Sequence, residues 1–293
     1  MDRRRFVIAA ASLPLAGTGV SANAFDQAPN LAGDDLYKPQ VGQPGKDVVW
    51  VPTPDRLVLR MLEQAKVGPE DLVFDLGCGD GKIPIAAAKS FGAIAKGIEY
   101  EPDLAALARR NADRAGVADK VEIITGDIFD EKLRERYMRA TVVTMYLLPH
   151  LNMKLRPEIL AMRPGTRVVS HAFHMSDWEP DEFFVVDGAE AFYWVVPARA
   201  EGRWTLHSAN NWEGKIELTQ RFQRIGGTMQ IEGKSQPLLG PYVSGEVIGF
   251  TFVDSNGHVR SARARIRGDT LEGAIRYARL VLPLKGQREP GAG

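Results

Sequence analysis

The hydrophobic pattern between residues 50 and 198 alternates short apolar runs with longer segments of helical spacing. Runs rich in Val, Ile and Leu predict four strands, near residues 72–76, 93–98, 121–125 and 141–146. Apolar residues three and four apart predict the helices that follow these strands, near residues 82–90, 102–115, 130–138 and 151–161. Because strands and helices alternate, we expect a parallel sheet with helices on both faces.

Further elements extend this repeating pattern at both ends. A helix with an apolar stripe is predicted over residues 54–66, where a proline occupies the first turn. A fifth strand is predicted at 166–170, and a terminal pair of strands at 183–186 and 192–196. We therefore predict one α/β domain over residues 49–198, built on a Rossmann-like, doubly wound, mostly parallel seven-stranded sheet.

The last third of the chain has a different pattern. Residues 203–285 contain short alternating segments separated by glycine turns, and Asn256-Gly257 and Gly226-Gly227 are typical of hairpins. We predict a second, smaller, antiparallel all-β domain over residues 199–288, followed by a tail at 289–293. No catalytic constellation is visible in this region, so we expect it to be a scaffold or to bind a protein partner.

Composition narrows the classes of function. The 293 residues include 37 basic and 37 acidic side chains, so the formal net charge is zero and no basic field indicates nucleic-acid binding. Cys78 is the only cysteine, which excludes an internal disulfide and a cysteine-rich metal site. We expect neither a metal nor a nucleic-acid partner.

The N-terminus is typical of an export signal. Residues 1–5 are basic, residues 6–20 are apolar, and Ala22-Asn23-Ala24 is a small-x-small cleavage pattern. Arg3-Arg4-Arg5-Phe6-Val7 resembles a twin-arginine motif. We predict a signal peptide over residues 1–24 and a periplasmic or exported protein with no stable membrane span after cleavage.

Two alternatives to this interpretation stay open. The apolar stretch can be an uncleaved anchor, or the start codon can be misassigned, in which case the protein is cytoplasmic. Residues 25–48 are rich in Pro, Gly, Asp and Gln without periodicity, and we predict a linker or arm there.

The most informative motif follows the first strand of the repeating pattern. Asp75 precedes three glycines at alternate positions, Gly77, Gly79 and Gly81, and a helix begins directly after them. Glycines let the backbone turn sharply and approach a ligand closely. The third glycine comes one residue too early for a dinucleotide fingerprint, and a carboxylate beside the loop suits an ammonium or sulfonium group. The spacing alone also fits an ordinary turn between a strand and a helix.

Two more acidic residues follow later strands of the predicted sheet. Glu99 ends the second strand, eighteen residues after Gly81, where an acidic residue can accept from two ribose hydroxyls. Asp127 follows the third strand, where it can accept from an adenine amino group. Acidic residues at strand ends also cap helices, but three of them at the carboxyl ends of three successive strands favour a ligand site.

These residues carry a resemblance to a known family. The chain resembles class I S-adenosylmethionine-dependent methyltransferases, and in particular the ATP synthase c-subunit lysine methyltransferase-like family, which is related to the non-SET histone-lysine methyltransferases. The segments that match are Val51-Pro52-Thr53-Pro54, Asp75-Leu76-Gly77-Cys78-Gly79-Asp80-Gly81-Lys82-Ile83, Gly97-Ile98-Glu99-Tyr100, Gly126-Asp127-Ile128-Phe129 and Tyr146-Leu147-Leu148-Pro149. The resemblance extends from about Trp50 to about Trp178.

The resemblance implies the cofactor and several of its contacts. S-adenosylmethionine is expected in the pocket formed by the glycine loop, with Glu99, Tyr100, Asp127 and Ile128 among the binding residues. The matching segment also implies that Thr53 can bind the amino-acid end of the cofactor. The alternative for Thr53 is that its side chain caps the helix over residues 54–66.

The resemblance also directs attention to Tyr146 at the end of the fourth strand. In this fold the methyl acceptor approaches there, and Tyr146 with the following leucines suits a narrow apolar channel. Core packing is the alternative for Tyr146. His150, His171 and His174 lie at or beyond the ends of the fourth and fifth strands, where a metal site or a general base is possible, but their spacing matches no zinc signature.

The sequence therefore predicts a methyltransferase that modifies a protein lysine. A free lysine has a pKa of about 10.4, and an apolar channel would lower this pKa, so no dedicated base is required. Two alternatives stay open. The acceptor can be a small molecule, or the chain can be an exported S-adenosylmethionine-binding protein without turnover.

Overall fold

The computed structural model describes residues 33–209 and 211–291. The predicted signal peptide over residues 1–24 lies outside the described residues, as do the first residues of the predicted arm. Among the residues described, no helix is long and apolar enough to cross a membrane. The twenty-four-residue signal and its alternatives therefore stay predictions.

The first part of the described chain forms an α/β sandwich. Its helices are α1 Asp55–Gln64, α2 Lys82–Phe91, α3 Pro102–Ala115, α4 Glu131–Tyr137 and α5 Pro149–Leu160. Its strands are β1 Leu72–Leu76, β2 Ile94–Glu99, β3 Val121–Thr125, β4 Val142–Met145, β5 Arg167–His171, β6 Glu182–Val186 and β7 Ala189–Val195. Each predicted strand and helix of this region is present, with ends that differ by a few residues.

The seven strands form one sheet in the order β3-β2-β1-β4-β5-β7-β6. All neighbours are parallel except β7, which pairs antiparallel with both β5 and β6. The chain order reverses between β1 and β4, which opens a crevice at the carboxyl ends of the strands. The predicted fold class, a doubly wound and mostly parallel seven-stranded sheet, is confirmed.

Buried apolar side chains fill both faces of this sheet. Residues of α1, α2 and α3 pack with one face, and Tyr137 of α4 and residues of α5 pack with the other. The central strands β1 and β4 are buried along nearly their whole length, because helices cover both faces of the sheet. This packing fixes the strand ends that carry the acidic residues.

The second part of the chain forms a sheet of nine antiparallel strands. These are β8 Gly202–Ser208, β9 Glu213–Arg221, β10 Arg224–Ile231, β11 Lys234–Pro237, β12 Leu239–Ser244, β13 Val247–Val253, β14 Val259–Arg267, β15 Thr270–Tyr277 and β16 Leu280–Arg288. The edge strands β11 and β12 are consecutive, and the N–H of Leu238 between them donates to the carbonyl of Gly227 in β10. The sheet therefore curls into a nearly closed barrel.

Alternate side chains of each barrel strand point inward. The interior is filled by residues that include Trp204, Leu218, Met229, Phe250, Phe252 and Ile266. The predicted antiparallel all-β domain is thus confirmed. The domain limits at residues 48/49 and 198/199 stay predictions, as does the role of the barrel as a scaffold or a partner-binding unit.

The hairpin predicted at Gly226-Gly227 is wrong. Both glycines lie inside β10, and the turn between β9 and β10 is at Phe222 and Gln223 instead. A Cβ on Gly227 would lie 2.2 Å from the carbonyl oxygen of Glu217, so glycine is needed there for close approach of two strands. The pattern analysis also missed β11, β12 and β16, because Pro237, Pro241 and Pro283 interrupt their alternation.

The barrel packs against the α/β part through its turns. The Phe222 ring stacks on Trp178 with centroids 5.9 Å apart, and Trp178 Nε1 donates to Gln223 Oε1 over 2.9 Å. The N–H of Ala198 donates to the carbonyl of Gly245 in the turn between β12 and β13. Trp178 is fully buried, so this contact forms part of the core.

Residues 33–50, here called the N-terminal arm, fold over the α/β part. Asp34 of the arm pairs with Arg110 on α3, and the buried Trp50 packs against Leu104 and Leu107 of the same helix. Backbone hydrogen bonds between Gly42 and Trp50, and between Gln43 and Trp50, hold the arm in a tight turn. The arm places residues 43–49 at the mouth of the crevice.

Candidate active site

A cavity of about 280 Å³ lies in the crevice at the carboxyl ends of the parallel strands. The ends of β1, β2, β3 and β4 contribute to its wall, and the N-terminal arm covers it. The predicted site residues that line it are Thr53, Asp75, Gly77, Gly79, Glu99, Tyr100, Asp127, Ile128 and Tyr146. Gly81, which the sequence placed in the same set, is not part of the wall.

The three glycines of the loop after β1 all have positive φ values, between 56° and 82°. The sharp turn expected from their spacing is therefore present. A Cβ on Gly77 would lie 3.0 Å from Leu147, and one on Gly79 would lie 2.8 Å from Trp50 Nε1. A Cβ on Gly81 would lie 3.1 Å from the Cβ of Ala108 on α3. Gly81 therefore serves the packing of two helices, and the other two bring the loop against the cavity wall.

Asp75 lies in the buried part of β1, two residues before Gly77 of the glycine loop. Its Oδ1 accepts a hydrogen bond of 2.7 Å from the Thr144 hydroxyl on β4. Burial raises the pKa of Asp75 to about 8, and the charges on Glu99 and Asp80 act in the same direction. A cation bound beside Asp75 would stabilise its carboxylate and offset the cost of burying that charge.

Asp80 is a cavity residue that sequence reasoning missed. It is 3% exposed, its Oδ1 accepts from the N–H of Lys82, and its buried Oδ2 has no hydrogen-bond partner among the described residues. Burial raises the pKa of Asp80 to about 6, and the Lys82 ammonium opposes that shift. The sequence shows Asp80 as an acidic residue between Gly79 and Gly81, and this position could have marked it as a site residue.

Glu99 is held in place by two backbone donors. Its Oε2 accepts from the N–H of Gly79 over 2.8 Å, and its Oε1 accepts from the N–H of Glu101 over 3.0 Å. Burial raises the pKa of Glu99, and these two hydrogen bonds oppose the rise. Each carboxylate oxygen keeps a second lone pair, so Glu99 can still accept two hydrogen bonds from a ligand.

Asp127 follows β3 and lines the same cavity. Its Oδ1 accepts from the N–H of Phe129 over 2.9 Å, and its Oδ2 pairs with the Lys46 ammonium of the arm over 2.5 Å. Partial burial alone would raise the pKa of Asp127, but Lys46 and the Phe129 N–H hold it below its usual value. Asp127 is therefore ionised at neutral pH.

Thr53 does not cap the first helix. The N-cap position of α1 is Pro54, and no side chain caps the helix. The Thr53 hydroxyl instead lies 3.0 Å from His171 Nδ1, and the Thr53 carbonyl accepts from Lys82 Nζ over 3.1 Å. Lys82 also pairs with Asp55 over 2.7 Å, so the Lys82 ammonium lies beside Thr53 at the cavity.

Apolar and aromatic side chains also line the cavity. They include Val51, Tyr146, Leu147, Leu148, Leu151 and Phe173. The rings of Tyr146 and Phe173 have centroids 6.3 Å apart. Burial raises the pKa of the Tyr146 hydroxyl, which therefore stays protonated at neutral pH.

The three histidines that the sequence singled out lie in different environments. His171 is buried, with its ring centroid 3.8 Å from that of Tyr146, while His150 and His174 are exposed. His174 Nδ1 accepts from the N–H of Ser176. Within residues 33–209 and 211–291, no group of three or more His, Cys, Asp or Glu side chains is arranged to hold a metal ion.

Comparison with known proteins assigns the α/β part to a family. Residues 75–182 match the ANTKMT methyltransferase domain. A protein-lysine N-methyltransferase of Saccharolobus islandicus is 44% identical over 142 residues, which cover 48% of this chain and 86% of the relative. The chain belongs to the ANTKMT family of methyltransferases. It is an S-adenosylmethionine-dependent methyltransferase, and the family resemblance predicted from its motifs is confirmed.

Two other relatives match the same part of the methyltransferase. The adenine nucleotide translocase lysine N-methyltransferase of Mus musculus is 34% identical over 134 residues, which cover 45% of this chain and 56% of that relative, about half its length. A solved structure described as an RNA methyltransferase from Salinibacter ruber, in complex with S-adenosyl-L-homocysteine, has 49% identity and a TM-score of 0.48. That similarity covers 51% of this chain and 95% of the solved one.

The cavity fits the methyl donor of the family, S-adenosylmethionine. The unpartnered Oδ2 of Asp80 is buried in the wall, and the three crowded carboxylates of Asp75, Asp80 and Glu99 favour a cationic ligand. S-adenosylmethionine carries two cationic groups, an ammonium and a sulfonium. Hydrogen-bond acceptors for hydroxyl and amino groups are present on Glu99 and Asp127.

Proposed function

We propose that this methyltransferase transfers the methyl group to a lysine side chain of a protein. The observation that carries the proposal is the division of the cavity. The acidic residues that we place at the cofactor follow β1, β2 and β3 in the sheet order, whereas Tyr146, Leu148 and Phe173 follow β4 and β5 on the other side. The similarity to a protein-lysine N-methyltransferase over 86% of that relative supports the same acceptor.

The aromatic end of the cavity suits a long side chain that must lose its charge. S-adenosylmethionine supplies an electrophilic methyl group on a sulfonium. A lysine ammonium has no lone pair, and burial among Tyr146, Leu148 and Phe173 disfavours the charged form and so lowers its pKa. These residues exclude water and orient the amine, and positioning of this kind contributes up to about 7–11 kcal/mol in well-ordered systems.

We propose the following roles at the cofactor end. Asp75 and Asp80 accept from the ammonium, and Lys82 and Thr53 bind the carboxylate of the amino-acid end. Glu99 accepts from the ribose hydroxyls, Asp127 accepts from the adenine amino group, and Tyr100 and Ile128 flank the base. Gly77 and Gly79 let the loop lie against the ligand. The positions of these side chains around one cavity support this assignment.

Label transfer to a protein fraction tests the acceptor. Purified methyltransferase is incubated with methyl-labelled S-adenosylmethionine and a protein fraction from the source cells, and the labelled proteins are hydrolysed to amino acids. We expect methyl-lysine, and we expect the label to disappear when the lysines of the fraction are acetylated beforehand. Nuclease treatment of the fraction should leave the label unchanged.

The other outcomes separate the competing functions. Label recovered only in low-molecular-weight material would indicate a small-molecule acceptor and would contradict the lysine proposal. Label lost on nuclease treatment would indicate a nucleic-acid acceptor. Bound cofactor without transfer to any fraction would indicate a binding protein without turnover.

We also propose that the protein is exported through a twin-arginine pathway. The basic start, the apolar stretch and the Ala22-Asn23-Ala24 pattern support this localisation. Replacing Arg3 and Arg4 by lysine preserves charge but alters the motif, so the variant should stay in the cytoplasm at full length. Wild-type protein found in the cytoplasm with Met1 still present would contradict export.

A further inference from the structure

His171 joins two segments of the cavity that are far apart in sequence. It is the last residue of β5 and is 6% exposed. Its Nδ1 lies 3.0 Å from the hydroxyl of Thr53, which is equally buried and precedes α1. Because both groups are buried, the hydrogen bond between them has little competition from water.

The other contact of His171 is with the acceptor end of the cavity. The imidazole ring lies against the Tyr146 ring, with centroids 3.8 Å apart and planes inclined by 38°. Tyr146 lines the cavity at the end of β4, and its hydroxyl makes no hydrogen bond to another described residue. The ring contact with His171 is therefore a principal restraint on the orientation of this side chain.

His171 is not placed to act as a base. It is not among the residues that line the cavity, and its ring packs against that of Tyr146, which does line it. Burial lowers the pKa of His171 to about 4, so the ring is neutral at physiological pH and is a weak proton acceptor. Its contacts point to a structural action on its two neighbours.

We propose that His171 is a positioning residue that orients Tyr146 in the acceptor channel and couples this orientation to Thr53 at the cofactor end. The coupling runs through main-chain and side-chain contacts. The Thr53 carbonyl accepts from Lys82, the first residue of α2 after the glycine loop. The role of Tyr146 in methyl transfer rests on the proposed function, whereas the restraint on its ring does not.

Two substitutions separate the two contacts of His171. His171→Asn retains a polar group that can bind Thr53 but removes the ring, whereas His171→Phe retains a ring beside Tyr146 but removes the hydrogen bond. We expect His171→Asn to lower kcat at least tenfold while the dissociation constant for S-adenosylhomocysteine stays within twofold of wild type. We expect His171→Phe to keep most of kcat and to weaken S-adenosylhomocysteine at least threefold.

A spectroscopic measurement tests the restraint without any turnover. The protein is labelled with 3-fluorotyrosine, and the Tyr146 fluorine resonance is assigned with Tyr146→Phe. We expect that resonance to shift and broaden in His171→Asn and to stay a single narrow line in His171→Phe. The control is His150→Asn, the same change at an exposed histidine, which should match wild type in every measurement.

Two results would overturn the proposal. One is an unchanged Tyr146 resonance in His171→Asn, which would show that the imidazole does not restrain the ring. The other is an equal loss of kcat and cofactor affinity in both variants, which would show a general packing role. If wild type transfers no methyl group to protein, the lysine proposal fails, and the fluorine spectra still decide the role of His171.

Discussion

The Nζ atom of Lys46 lies 2.5 Å from Oδ2 of Asp127, so an ion pair joins the N-terminal arm to the end of β3. The same ammonium is 5.1 Å from the centroid of the Tyr100 ring. Asp127 and Tyr100 are the residues that we propose to meet the adenine base. The arm therefore covers that end of the cavity, and we expect a ligand to enter or leave there when the arm moves.

Removal of this ion pair should speed cofactor exchange in both directions. Lys46 and Asp127 are about one-third exposed, and pairs of this kind contribute at most about 1 kcal/mol, which corresponds to roughly fivefold in a rate. In Lys46→Ala we expect the association and dissociation rates of S-adenosylhomocysteine to rise by up to about that factor. Stopped-flow fluorescence measures both rates.

Lys38→Ala is the matched control for the arm. Lys38 is exposed on the same arm and forms no ion pair with another described residue. Its exchange rates should equal those of wild type. A higher dissociation rate with an unaltered association rate in Lys46→Ala, and so a weaker equilibrium affinity, would make Lys46 a ligand contact and would contradict a covering role.

The buried oxygen of Asp80 should contribute to binding of the amino-acid end only. Asp80→Asn keeps an oxygen that accepts from the Lys82 N–H but removes the negative charge of the buried carboxylate. Hydrogen bonds to charged groups contribute about 1.5–3 kcal/mol, so we expect S-adenosylhomocysteine to bind at least about tenfold more weakly. Methylthioadenosine, which lacks the amino acid, should bind with unchanged affinity by calorimetry.

Glu99→Ala is the comparison for the different effects expected on S-adenosylhomocysteine and methylthioadenosine. Glu99 is proposed to bind the ribose, which both ligands contain, so both should lose at least about tenfold in affinity. Asp113→Asn, a change at an exposed residue of α3, should affect neither ligand. A loss of methylthioadenosine binding in Asp80→Asn would place Asp80 away from the amino-acid end.

Affinity for S-adenosylmethionine should rise between pH 6 and pH 8. Burial raises the pKa of Asp80 to about 6 and that of Asp75 to about 8, so both carboxyls bind protons in the free protein below those values. A cationic ligand favours the carboxylates and lowers both pKa values, so binding releases protons. The gain is at most about tenfold in affinity per pH unit for each proton released.

Calorimetry in buffers of different ionisation enthalpy counts these protons directly. We expect proton release near pH 7 for wild type and a smaller release for Asp80→Asn. An affinity that is constant over this range would show that neither carboxyl meets the positive groups of the ligand.

The contact between the barrel and the α/β part should contribute to stability. Phe222 stacks on the buried Trp178, and the Arg156 guanidinium lies 5.5 Å from the centroid of the Phe222 ring. Loss of a large aromatic side chain from a packed site costs about 3–5 kcal/mol when the site is fully buried, and Phe222 is half-buried. We expect Phe222→Ala to lower the free energy of unfolding by about 1–3 kcal/mol in a denaturant titration.

Phe252→Leu in the barrel interior distinguishes a local effect from an interface effect. Phe252 is buried in the barrel core, where its ring packs against Trp212 and Phe250. The two variants should differ in the number of unfolding transitions in the denaturant titration. Phe222→Ala should make the barrel and the α/β part unfold separately, whereas Phe252→Leu should preserve a single transition. A single transition in Phe222→Ala would show that the remaining contacts hold the two parts together.

The sequence by itself determined the α/β architecture and much of the cofactor end. The periodicity of apolar residues located β1 to β5 because buried parallel strands are continuous apolar runs. Asp75, Glu99 and Asp127 could be grouped because the carboxyl ends of parallel strands meet at one edge of a sheet. Local spacing and general topology were sufficient for both inferences.

Only the tertiary structure decided which groups touch. Lys46 reaches Asp127 across 81 positions of the chain, and Thr53 reaches His171 across 118, distances over which sequence pattern carries no information. Gly226 and Gly227 had the composition of a turn, but the close approach of β9 placed them inside a strand. The raised pKa of Asp80 could not be read from the sequence either. Burial causes it, and burial is a property of the packed fold and not of the residue.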